Sequence, residues 1–570
     1  MERDLRTQTC AIFGNSESLS MPQTNTMQSP LQDRVLAALR RIEQFEAAYN
    51  AITIGELVSR RARTHPSTIA LYILGRDESA TYSEMDRVSN QYAQALRSLG
   101  LRKGDRIGIM LPNRIEFPIL WFAIAKLGAV MVPIDTRYTQ REIEYMLSDT
   151  QAKFAVVDES AWSVFSAIAP WPQDLVKERV ILVGQPPHGT ATTLDKLLGG
   201  SNDALVEEDI KPDDLVTIQY TSGTTGFPKG CMQTHEYWSV SSYQGACGDR
   251  EPYQRYLSTQ SFAYVDTKQY LLKSYRQGGT LYLSSSFNDS HFKESIKQHR
   301  IEWCVFPERV ARQAEAADED GAIGLKQTLN WGWNPDTVRK FRKRFRAQTQ
   351  DAFGMTEIWL GTQMPNDFDE MSDSGSVGIR APFRHLRLMN DDGTPTPIGE
   401  VGELWVSGRG IFKGYWNRPE ANAASFEREW FKTGDLLRCN ELGFYWLVGR
   451  TKDMIRRSGD NIAAREVESV ILEIAEVADA AAVPVRNAER GEEVKIYVEL
   501  KDGLKPGDLP VERILEHARA RLAVFKVPRY VAFIPRLPRT TSSNKVLKRE
   551  LIDVSDPLSG AYDAEEKRWR

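Results

Sequence analysis

Eleven consecutive residues, Tyr220–Gly230, combine four Ser or Thr hydroxyls, three glycines and one lysine. Glycines let backbone amides approach an anion closely, and hydroxyls can donate to phosphate oxygens. The spacing differs from that of a Walker A loop, and no Ser or Thr follows the lysine to bind Mg²⁺. An ordinary flexible loop is the alternative, but this density of donors favours a phosphate cradle. The predicted phosphate-binding residues are Thr221, Ser222, Gly223, Thr224, Thr225, Gly226 and Lys229.

Three later segments carry related groups: Asp351–Glu357, Phe431–Asp435 and Leu537–Lys545. Alone, each has an ordinary explanation, such as a helix cap, a turn or a solvated surface lysine. Together with the first segment, and in this order, they resemble the signature motifs of the adenylate-forming superfamily. That superfamily includes acyl-CoA synthetases, luciferases and the adenylation domains of peptide synthetases. The resemblance extends from about residue 53 to residue 551.

The resemblance implies roles for the nucleotide-binding residues. It places Phe353 against adenine, Thr356 on the α-phosphate and Glu357 as the ligand of Mg²⁺. A carboxylate suits this ion, which binds hard oxygen atoms together with water and substrate phosphates. Asp435 resembles the residue that accepts both ribose hydroxyls, and a carboxylate has two oxygens for this purpose. Arg450 resembles the second ribose contact.

The C-terminal part of the chain matches the family at three further positions. Lys545 resembles the lysine that bridges the substrate carboxylate and ATP, although Asn544 replaces the usual glycine beside it. Lys452 falls at the family's hinge position. Gly459 resembles the glycine that faces the pantetheine tunnel. The resemblance thus makes Lys545, with Glu357, Thr356 and Lys229, the catalytic set.

The expected acyl pocket departs from the family pattern. The segment Trp331–Pro335 stands where the family usually has Gly-Gly-Ala-Pro, with an indole at the third position. Counting back from a Gly-Gly pair places Tyr264 at the gate between the acyl pocket and the thiol tunnel. Carnitine/crotonobetaine-CoA ligases resemble the chain best among subgroups, since they share an acidic residue two positions past the gate. The predicted pocket residues are Tyr264, Asp266, Trp331, Gly332 and Trp333.

Two indoles and a carboxylate in the acyl pocket would favour an acid that carries a cationic group. The alternative is that both tryptophans belong to the core and that the acid is aryl or alicyclic. The sequence leaves both open.

The reaction that the resemblance implies has two steps. A carboxylic acid and ATP give acyl-AMP and pyrophosphate with the help of Mg²⁺, and coenzyme A then gives acyl-CoA and AMP. A stand-alone adenylating enzyme that loads a carrier protein is the alternative, and a non-catalytic nucleotide-binding protein is a further one. Because Lys545 is needed only in the first step, the resemblance also implies rotation of a small domain between steps.

Composition excludes several other classes. The 570 residues include 73 Lys and Arg against 77 Asp and Glu, a net charge of −4, so no basic field favours nucleic acid. Five dispersed cysteines argue against a zinc site or a disulfide framework and favour the cytoplasm. The N-terminus has no apolar signal segment. The sequence leaves open whether the protein forms a homodimer.

The most apolar span, Phe117–Ile134, has borderline length for a membrane helix. Lys126 lies within it, and Pro118, Gly128 and Pro133 interrupt it. A buried helix followed by a turn and a buried strand explains the span better. We therefore predict no contact with a membrane.

The segments around the motifs alternate between helix and strand patterns. Apolar runs such as Arg106–Leu111 suit parallel strands that are covered on both faces. Thr81 and Glu84 have the spacing of a capping box at the start of a helix. The pattern predicts an α/β fold with a large multi-layer N-terminal body containing several sheets, followed by a small α+β lid domain.

Four regions are expected along the chain. Residues 1–30 are polar and predicted to be a disordered leader. Residues 31–449 form the large domain with the ATP and acyl pockets, and residues 450–551 form the small mobile domain. Residues 552–570 are expected to be a loose polar tail.

Overall fold

A computed structural model describes most of the chain after the first 29 residues. The described ranges are 30–185, 192–199, 201–206, 208–221, 228–249, 251–285, 289–312, 321, 323–450, 453–457, 460–487, 490–522, 524–540 and 545–570. The predicted leader therefore lies outside the described residues, apart from residue 30.

The α-helices of the described residues are α1 Pro30–Ala47, α2 Ile54–Thr64, α3 Tyr82–Ser98, α4 Glu116–Lys126, α5 Gln140–Asp149, α6 Trp162–Ser166, α7 Leu194–Leu198, α8 His235–Cys247, α9 Val265–Gln277, α10 Asp289–His299, α11 Glu308–Ala311, α12 Pro335–Phe345, α13 Pro419–Ser425, α14 Ala464–Ile471, α15 Val511–Arg519 and α16 Lys548–Ile552.

The strands are β1 Ile69–Leu74, β2 Glu78–Thr81, β3 Arg106–Met110, β4 Val130–Pro133, β5 Phe154–Asp158, β6 Val180–Val183, β7 Thr192–Thr193, β8 Leu215–Thr221, β9 Lys229–Thr234, β10 Arg255–Ser258, β11 Thr280–Ser284, β12 Trp303–Cys304, β13 Gln327–Asn330, β14 Gln348–Met355, β15 Trp359–Gln363, β16 Ile379–Arg380, β17 Arg384–Met389, β18 Val401–Gly408, β19 Phe426–Glu427, β20 Trp430–Cys439, β21 Tyr445–Arg450, β22 Met454–Arg457, β23 Asp460–Ala463, β24 Val477–Asn487, β25 Gly491–Leu500, β26 Tyr530–Phe533, β27 Ala561–Asp563 and β28 Arg568–Trp569.

The chain divides into two compact units. The first contains the chain up to Leu386 together with Val406–Phe431 and Leu442–Tyr445, and the second contains the remaining segments up to Arg570. Residues 387–405, 432–441 and 446–449, which the sequence analysis assigned to the large domain, thus belong to the second unit. The division falls inside strands β17, β18, β20 and β21, which no sequence pattern marks as a boundary.

Two sheets form the frame of the first unit. One has the order β16-β15-β14-β13-β12-β10-β11-β1-β2, and the other has the order β7-β6-β5-β3-β4-β8-β9. The strands in the middle of both sheets pair in parallel, for example β10 with β11 and β3 with β5. Such strands require apolar side chains on both faces, as the buried strand β5 shows. The predicted α/β body with several sheets is confirmed.

The elements predicted from local sequence signals are present in the structure. The capping box of Thr81 and Glu84 begins α3. The apolar span Phe117–Ile134 contains all of α4 except its first residue, followed by the buried strand β4, as predicted. Lys126 is buried, and its ammonium group is paired because it donates to Asp86 at 2.6 Å and to Asn90 at 2.7 Å. Within the described ranges, no helix combines the length and apolarity needed to cross a bilayer.

The second unit contains a sheet of order β23-β22-β25-β26-β27-β28, with β24 on β25. Helices α14 and α15 bury their apolar faces in its core, which gives the predicted α+β domain. The expectation of a loose tail at 552–570 is wrong, because β27 pairs with β26 and β28 pairs with β27. The polar composition of residues 552–570 did not indicate these two short strands.

Candidate active site

The predicted phosphate-binding segment begins and ends in a hairpin. Strands β8 and β9 pair in antiparallel fashion, with Thr221 opposite Lys229. The backbone at Gly230 comes so close to Ile218 that a Cβ atom would lie 2.6 Å from its Cγ2 atom. The hairpin therefore brings the two ends of the predicted cradle together. Its central residues, Ser222, Gly223, Thr224, Thr225 and Gly226, lie outside the described residues.

Tyr415 connects the predicted cradle to the predicted metal ligand. Its hydroxyl group donates to Glu357 Oε1 at 2.8 Å, and Lys229 Nζ lies 4.6 Å from the centroid of its ring. Burial raises the pKa of Tyr415, and the Glu357 carboxylate raises it further, so the phenol stays protonated and can donate. The structure thus brings Lys229 and Glu357 to one aromatic ring. Sequence reasoning missed this tyrosine, since it belongs to none of the motifs.

The turn that carries Thr356 and Glu357 joins β14 to β15 and is held on both sides. The carbonyl oxygen of Thr356 accepts from Gln233 Nε2 at 3.1 Å and from the hydroxyl of Tyr237 at 2.9 Å. The buried guanidinium of Arg384 donates to the carbonyl groups of Ile358 and Leu360, at 2.5 and 2.9 Å. These contacts hold the backbone of the turn.

The strand before that turn carries the predicted adenine contact. Phe353 is buried in β14, and a Cβ atom at Gly361 would lie 3.1 Å from its ring. Its ring therefore packs closely on the neighbouring strand. The predicted stacking on adenine stays a prediction.

The carboxylate of Glu357 is a suitable ligand for Mg²⁺. The described residues contain no group of three or more His, Cys, Asp or Glu side chains that could enclose an ion. A buried carboxylate at 6% exposure instead offers oxygen to an ion whose other ligands are water and phosphate. Mg²⁺ commonly binds to protein in this way, so Glu357 is a suitable single protein ligand.

In the second unit, Asp435 and Arg450 form the pair that the motifs predict. Arg450 Nε donates to Asp435 Oδ1 at 3.0 Å. The other carboxylate oxygen, Oδ2, is buried and has no hydrogen-bond partner among the described residues. Burial raises the pKa of Asp435, whereas Arg450 and Lys545 lower it. An unpartnered buried acceptor suits a ligand that donates hydroxyl groups, as a ribose does.

Lys545 is held to Thr540 in the second unit. Its backbone N–H donates to Thr540 Oγ1 at 3.1 Å, and its carbonyl oxygen accepts from the Thr540 N–H at 2.8 Å. The side chain itself is exposed. The predicted hinge residue Lys452 and the predicted tunnel residue Gly459 lie outside the described residues.

The predicted gate, Tyr264, directly precedes α9. Its hydroxyl group accepts from Arg137 Nη2 at 3.1 Å. The buried ammonium group of Lys268 donates to three backbone carbonyl groups, those of Phe262, Ala263 and Tyr264, at 2.8–3.0 Å. Lys268 therefore fixes the shape of the loop before the gate. No sequence motif marks this lysine, which lies one turn into the helix.

Three tryptophans and one tyrosine are in contact next to the turn that carries Glu357. The ring centroids of Trp331 and Trp359 lie 6.0 Å apart, those of Trp359 and Tyr270 6.1 Å, and those of Tyr270 and Trp303 5.1 Å. We call these four residues the aromatic wall. The hydroxyl of Tyr270 lies 3.4 Å from Asp266 Oδ1, so the wall reaches the predicted acidic residue.

The structure separates the two indoles of the predicted acyl pocket. Trp331 belongs to the aromatic wall, whereas Trp333 packs against Phe341 at 5.2 Å in a different core cluster. Gly332 has a φ of 66° and its N–H donates to Asp351 Oδ1 at 2.9 Å. This tight turn directs the side chains of Trp331 and Trp333 into different clusters. Sequence reasoning missed Tyr270, Trp303 and Trp359, which lie outside all motifs.

Comparison with known proteins is consistent with this arrangement. A family model described as AMP-binding enzyme matches residues 58–416, and one described as AMP-binding enzyme C-terminal domain matches residues 466–544. The long-chain-fatty-acid–CoA ligase FadD13 of Mycobacterium tuberculosis (strain ATCC 25618 / H37Rv) is 30% identical over 87% of this chain and 97% of its own. The feruloyl-CoA synthase of an Amycolatopsis species is 31% identical over 87% of this chain and 98% of its own.

Solved structures share the fold. That of the anthranilate CoA ligase AuaEII in complex with anthranoyl-AMP has a TM-score of 0.81 at 22% identity, over 89% of this chain and 98% of its own. The o-succinylbenzoate CoA synthetase MenE of Bacillus subtilis, in complex with ATP and magnesium ion, has a TM-score of 0.74 at 27% identity, over 87% of this chain and 98% of its own. The chain therefore belongs to the AMP-binding enzyme family and is an ATP-dependent acid–CoA ligase.

Proposed function

We propose that the residues described above divide the ligase reaction in a definite way. Lys229 and Thr221 bind the phosphates of ATP, and Asp435 accepts the ribose hydroxyls through its unpartnered oxygen. Glu357 holds Mg²⁺, which supplies positive charge to the phosphates. Lys545 neutralises the substrate carboxylate as it approaches ATP. The observation that carries this proposal is the contact of one ring, Tyr415, with both Lys229 and Glu357.

In the first step, a carboxylate oxygen of the acid forms a bond to the α-phosphorus of ATP. The bond from that phosphorus to the bridging oxygen breaks, and pyrophosphate leaves with the electron pair. Both reactants are anions, so the protein contributes chiefly by positioning them and by placing positive charge nearby. The turn of Thr356 suits this task, because Gln233 and Tyr237 hold its backbone.

In the second step, the thiolate of coenzyme A forms a bond to the acyl carbon. The bond from this carbon to the phosphate oxygen breaks and AMP leaves. This step needs no lysine at the carboxylate, and we propose that residues 450–551 rotate about Lys452 between the steps. The cytoplasmic location proposed from the sequence fits the described cysteines, Cys231, Cys247, Cys304 and Cys439, which form no disulfide bond with one another.

We propose that the acid is compact. We assign the aromatic wall to the acyl pocket, because Tyr270 contacts the predicted pocket residue Asp266 and Trp359 follows Glu357 by two positions. Its ring centroids are 5.1–6.1 Å apart, the spacing of rings in contact, so an extended alkyl chain would not pass between these rings. The names of relatives do not decide the acid, since they include fatty-acid, feruloyl and crotonobetaine/carnitine ligases.

A pyrophosphate-release assay with and without CoA tests the proposal. The panel contains aryl acids, small polar acids, trimethylammonium acids and a series of fatty acids of increasing length. We expect activity with compact acids and a kcat/KM at least tenfold lower for long-chain fatty acids. A clear preference for long-chain acids would contradict the compact pocket. Pyrophosphate release without any acyl-CoA would contradict the assignment of CoA as the acceptor.

A further inference from the structure

A fully buried lysine contacts the loop that carries the predicted gate, Tyr264. We call residues 260–264 the gate loop. Lys268 in α9 has no exposed surface, and its ammonium group donates to the carbonyl oxygens of Phe262, Ala263 and Tyr264. A neutral amine has only two N–H groups, so three carbonyl acceptors favour the charged form, against the burial that lowers the pKa of Lys268. A carbonyl group that moved away would leave a buried cation partly unpaired, so the cation and the loop hold each other in place.

Gln219 contacts the same loop from the strand that leads into the predicted phosphate cradle. Its Nε2 atom donates to the carbonyl oxygen of Ala263 at 3.1 Å, so this carbonyl group accepts from both Gln219 and Lys268. Gln219 is buried in β8, two positions before Thr221. The gate loop is therefore attached to the strand that carries the first residue of the predicted cradle.

Asn113, in the segment after β3, holds the other end of the gate loop. Its Oδ1 atom accepts from the N–H of Phe262 at 2.7 Å. Its Nδ2 atom donates to the carbonyl oxygens of Gln260 and Ser284, at 2.9 and 2.7 Å. Buried side chains from three separate segments, α9, β8 and the residues after β3, thus determine the backbone of the gate loop.

These contacts act on the backbone of the gate loop, whereas the hydroxyl of Tyr264 accepts from Arg137, whose side chain is 52% exposed. The predicted gate is therefore a half-buried side chain on a backbone that buried polar groups hold. Replacing buried charged groups with apolar side chains often leaves stability unchanged or raises it, so stability alone gives little reason for Lys268. A requirement for one fixed backbone conformation explains this lysine better.

We propose that Lys268 and Gln219 are positioning residues for the second step, which fix the backbone at Tyr264 so that coenzyme A rather than water reaches the adenylate. In the unwanted reaction, a water oxygen forms a bond to the acyl carbon, and the bond from this carbon to the phosphate oxygen breaks. AMP then leaves with the electron pair, the protons of the water pass to solvent, and the free acid is regenerated. This inference rests on the proposed function, because it takes Tyr264 to be the gate to the thiol tunnel.

The test measures hydrolysis of the adenylate and thioester formation in the same protein. The acid is the one with the highest kcat/KM in the pyrophosphate-release panel, whether compact or long. Without CoA, we expect Lys268→Met to release AMP at least tenfold faster than wild type, while the single-turnover rate of adenylate formation stays within threefold. Gln219→Leu removes one of the two donors to Ala263 and should raise AMP release at least threefold. With CoA present, both variants should form less acyl-CoA per AMP released than wild type.

Lys126→Met is the matched control, because it removes a buried ammonium group that donates to α3 rather than to the gate loop. Its AMP release should stay within twofold of wild type. Failed folding does not imitate the expected result, since an unfolded protein makes no adenylate to hydrolyse. If Lys268→Met does not fold, Gln219→Leu decides the question.

Unchanged AMP release in folded variants that still make adenylate would overturn the inference, and so would an equal rise in Lys126→Met. Amide hydrogen exchange of residues 260–264 in the free protein should be faster in both gate-loop variants than in wild type. Unchanged exchange would show that these side chains do not fix the loop. If the wild-type protein makes acyl-CoA and the variants hydrolyse no faster, this inference alone fails. If it makes adenylate but no acyl-CoA, the proposed use of CoA fails, and this inference fails with it.

Discussion

At the residue scale, the proposed first step depends on individual charged side chains, because the substrate carboxylate and ATP are both anions and repel each other. The second unit supplies Lys545, whose backbone is fixed to Thr540 while its side chain is exposed. The first unit supplies Lys229 and the carboxylate of Glu357. A positive charge that acts only while two anions approach should matter to one half-reaction only.

We expect Lys545→Ala to lower the rate of adenylate formation by two or more orders of magnitude, or about 3 kcal/mol, as for one lost transition-state donor. Thioester formation from pre-made acyl-AMP should change much less, because no carboxylate needs neutralising in that step. The two half-reactions are measured separately, by pyrophosphate release and by acyl-CoA formation. Lys501→Ala, another exposed lysine of the second unit, is the control. Equal losses in both half-reactions would contradict the assigned role.

Glu357→Gln should weaken the use of Mg²⁺. The substitution keeps the shape and the contact with Tyr415 but removes the negative charge that a hard cation needs. Loss of a charge-assisted contact of about 1.5–3 kcal/mol corresponds to a rise of roughly ten- to hundredfold in the half-saturating Mg²⁺ concentration. A titration of adenylation with Mg²⁺ measures this. The exposed Glu420→Gln should leave the titration where it is, and an unchanged titration in Glu357→Gln would exclude this carboxylate as the ligand.

At the scale of elements, the C-terminal strands β27 and β28 depend on a buried carboxylate. Asp563 has no exposed side-chain surface and accepts from Arg570 Nη2 at 2.7 Å and from Arg529 Nε at 3.3 Å. Burial alone would raise its pKa, but the bonds from Arg570 and Arg529 outweigh burial and lower the pKa of Asp563 to about 2. A carboxyl group with a lowered pKa stabilises the fold above the pKa of the unfolded chain, about 4, and this contribution is lost as pH falls toward 2.

Asp563→Asn should therefore destabilise the second unit at pH 7 by about 1–3 kcal/mol, because two arginines lose a charged partner. The difference from wild type should shrink at pH 3, where the wild-type carboxylate has begun to lose its stabilising contribution. Urea unfolding followed by tryptophan fluorescence at both pH values measures it. Asp391→Asn, at an exposed position of the same unit, is the control. A difference that grows on acidification would show that the ion pairs do not act as described.

At the scale of the whole molecule, the protein has to carry out two half-reactions with different requirements. In the proposed mechanism the first needs Lys545 at the substrate carboxylate, and the second needs coenzyme A to reach the acyl carbon. The resemblance assigns the turning point to Lys452, which lies just before β22 and outside the described residues. Proline fixes φ near −65°, so it removes the rotation that a hinge residue needs.

Lys452→Pro should spare acyl-AMP formation and block acyl-CoA output. Quenched-flow measurement of both products in the same reaction would show adenylate accumulating. Lys452→Ala leaves φ free and should retain a CoA output much closer to that of wild type. If CoA output keeps pace with adenylate in the proline variant, another residue is the hinge.

The sequence by itself determined the chemistry and its order along the chain. Hydroxyls, glycines and Lys229 in one segment, Glu357 in a second, Asp435 in a third and Lys545 in a fourth predicted an adenylate-forming ligase. Local rules also predicted the capping box at Thr81 and the buried α4–β4 span, because caps and apolar runs depend on residues close in sequence.

Only the tertiary structure decided which distant side chains meet. Tyr415 contacts both Lys229 and Glu357, which lie 186 and 58 positions before it, and no local pattern records such contacts. Trp331 and Trp333 are two positions apart in the motif but lie in different clusters, because the turn at Gly332 directs them apart. Packing, rather than spacing along the chain, sets the chemistry that the acid meets.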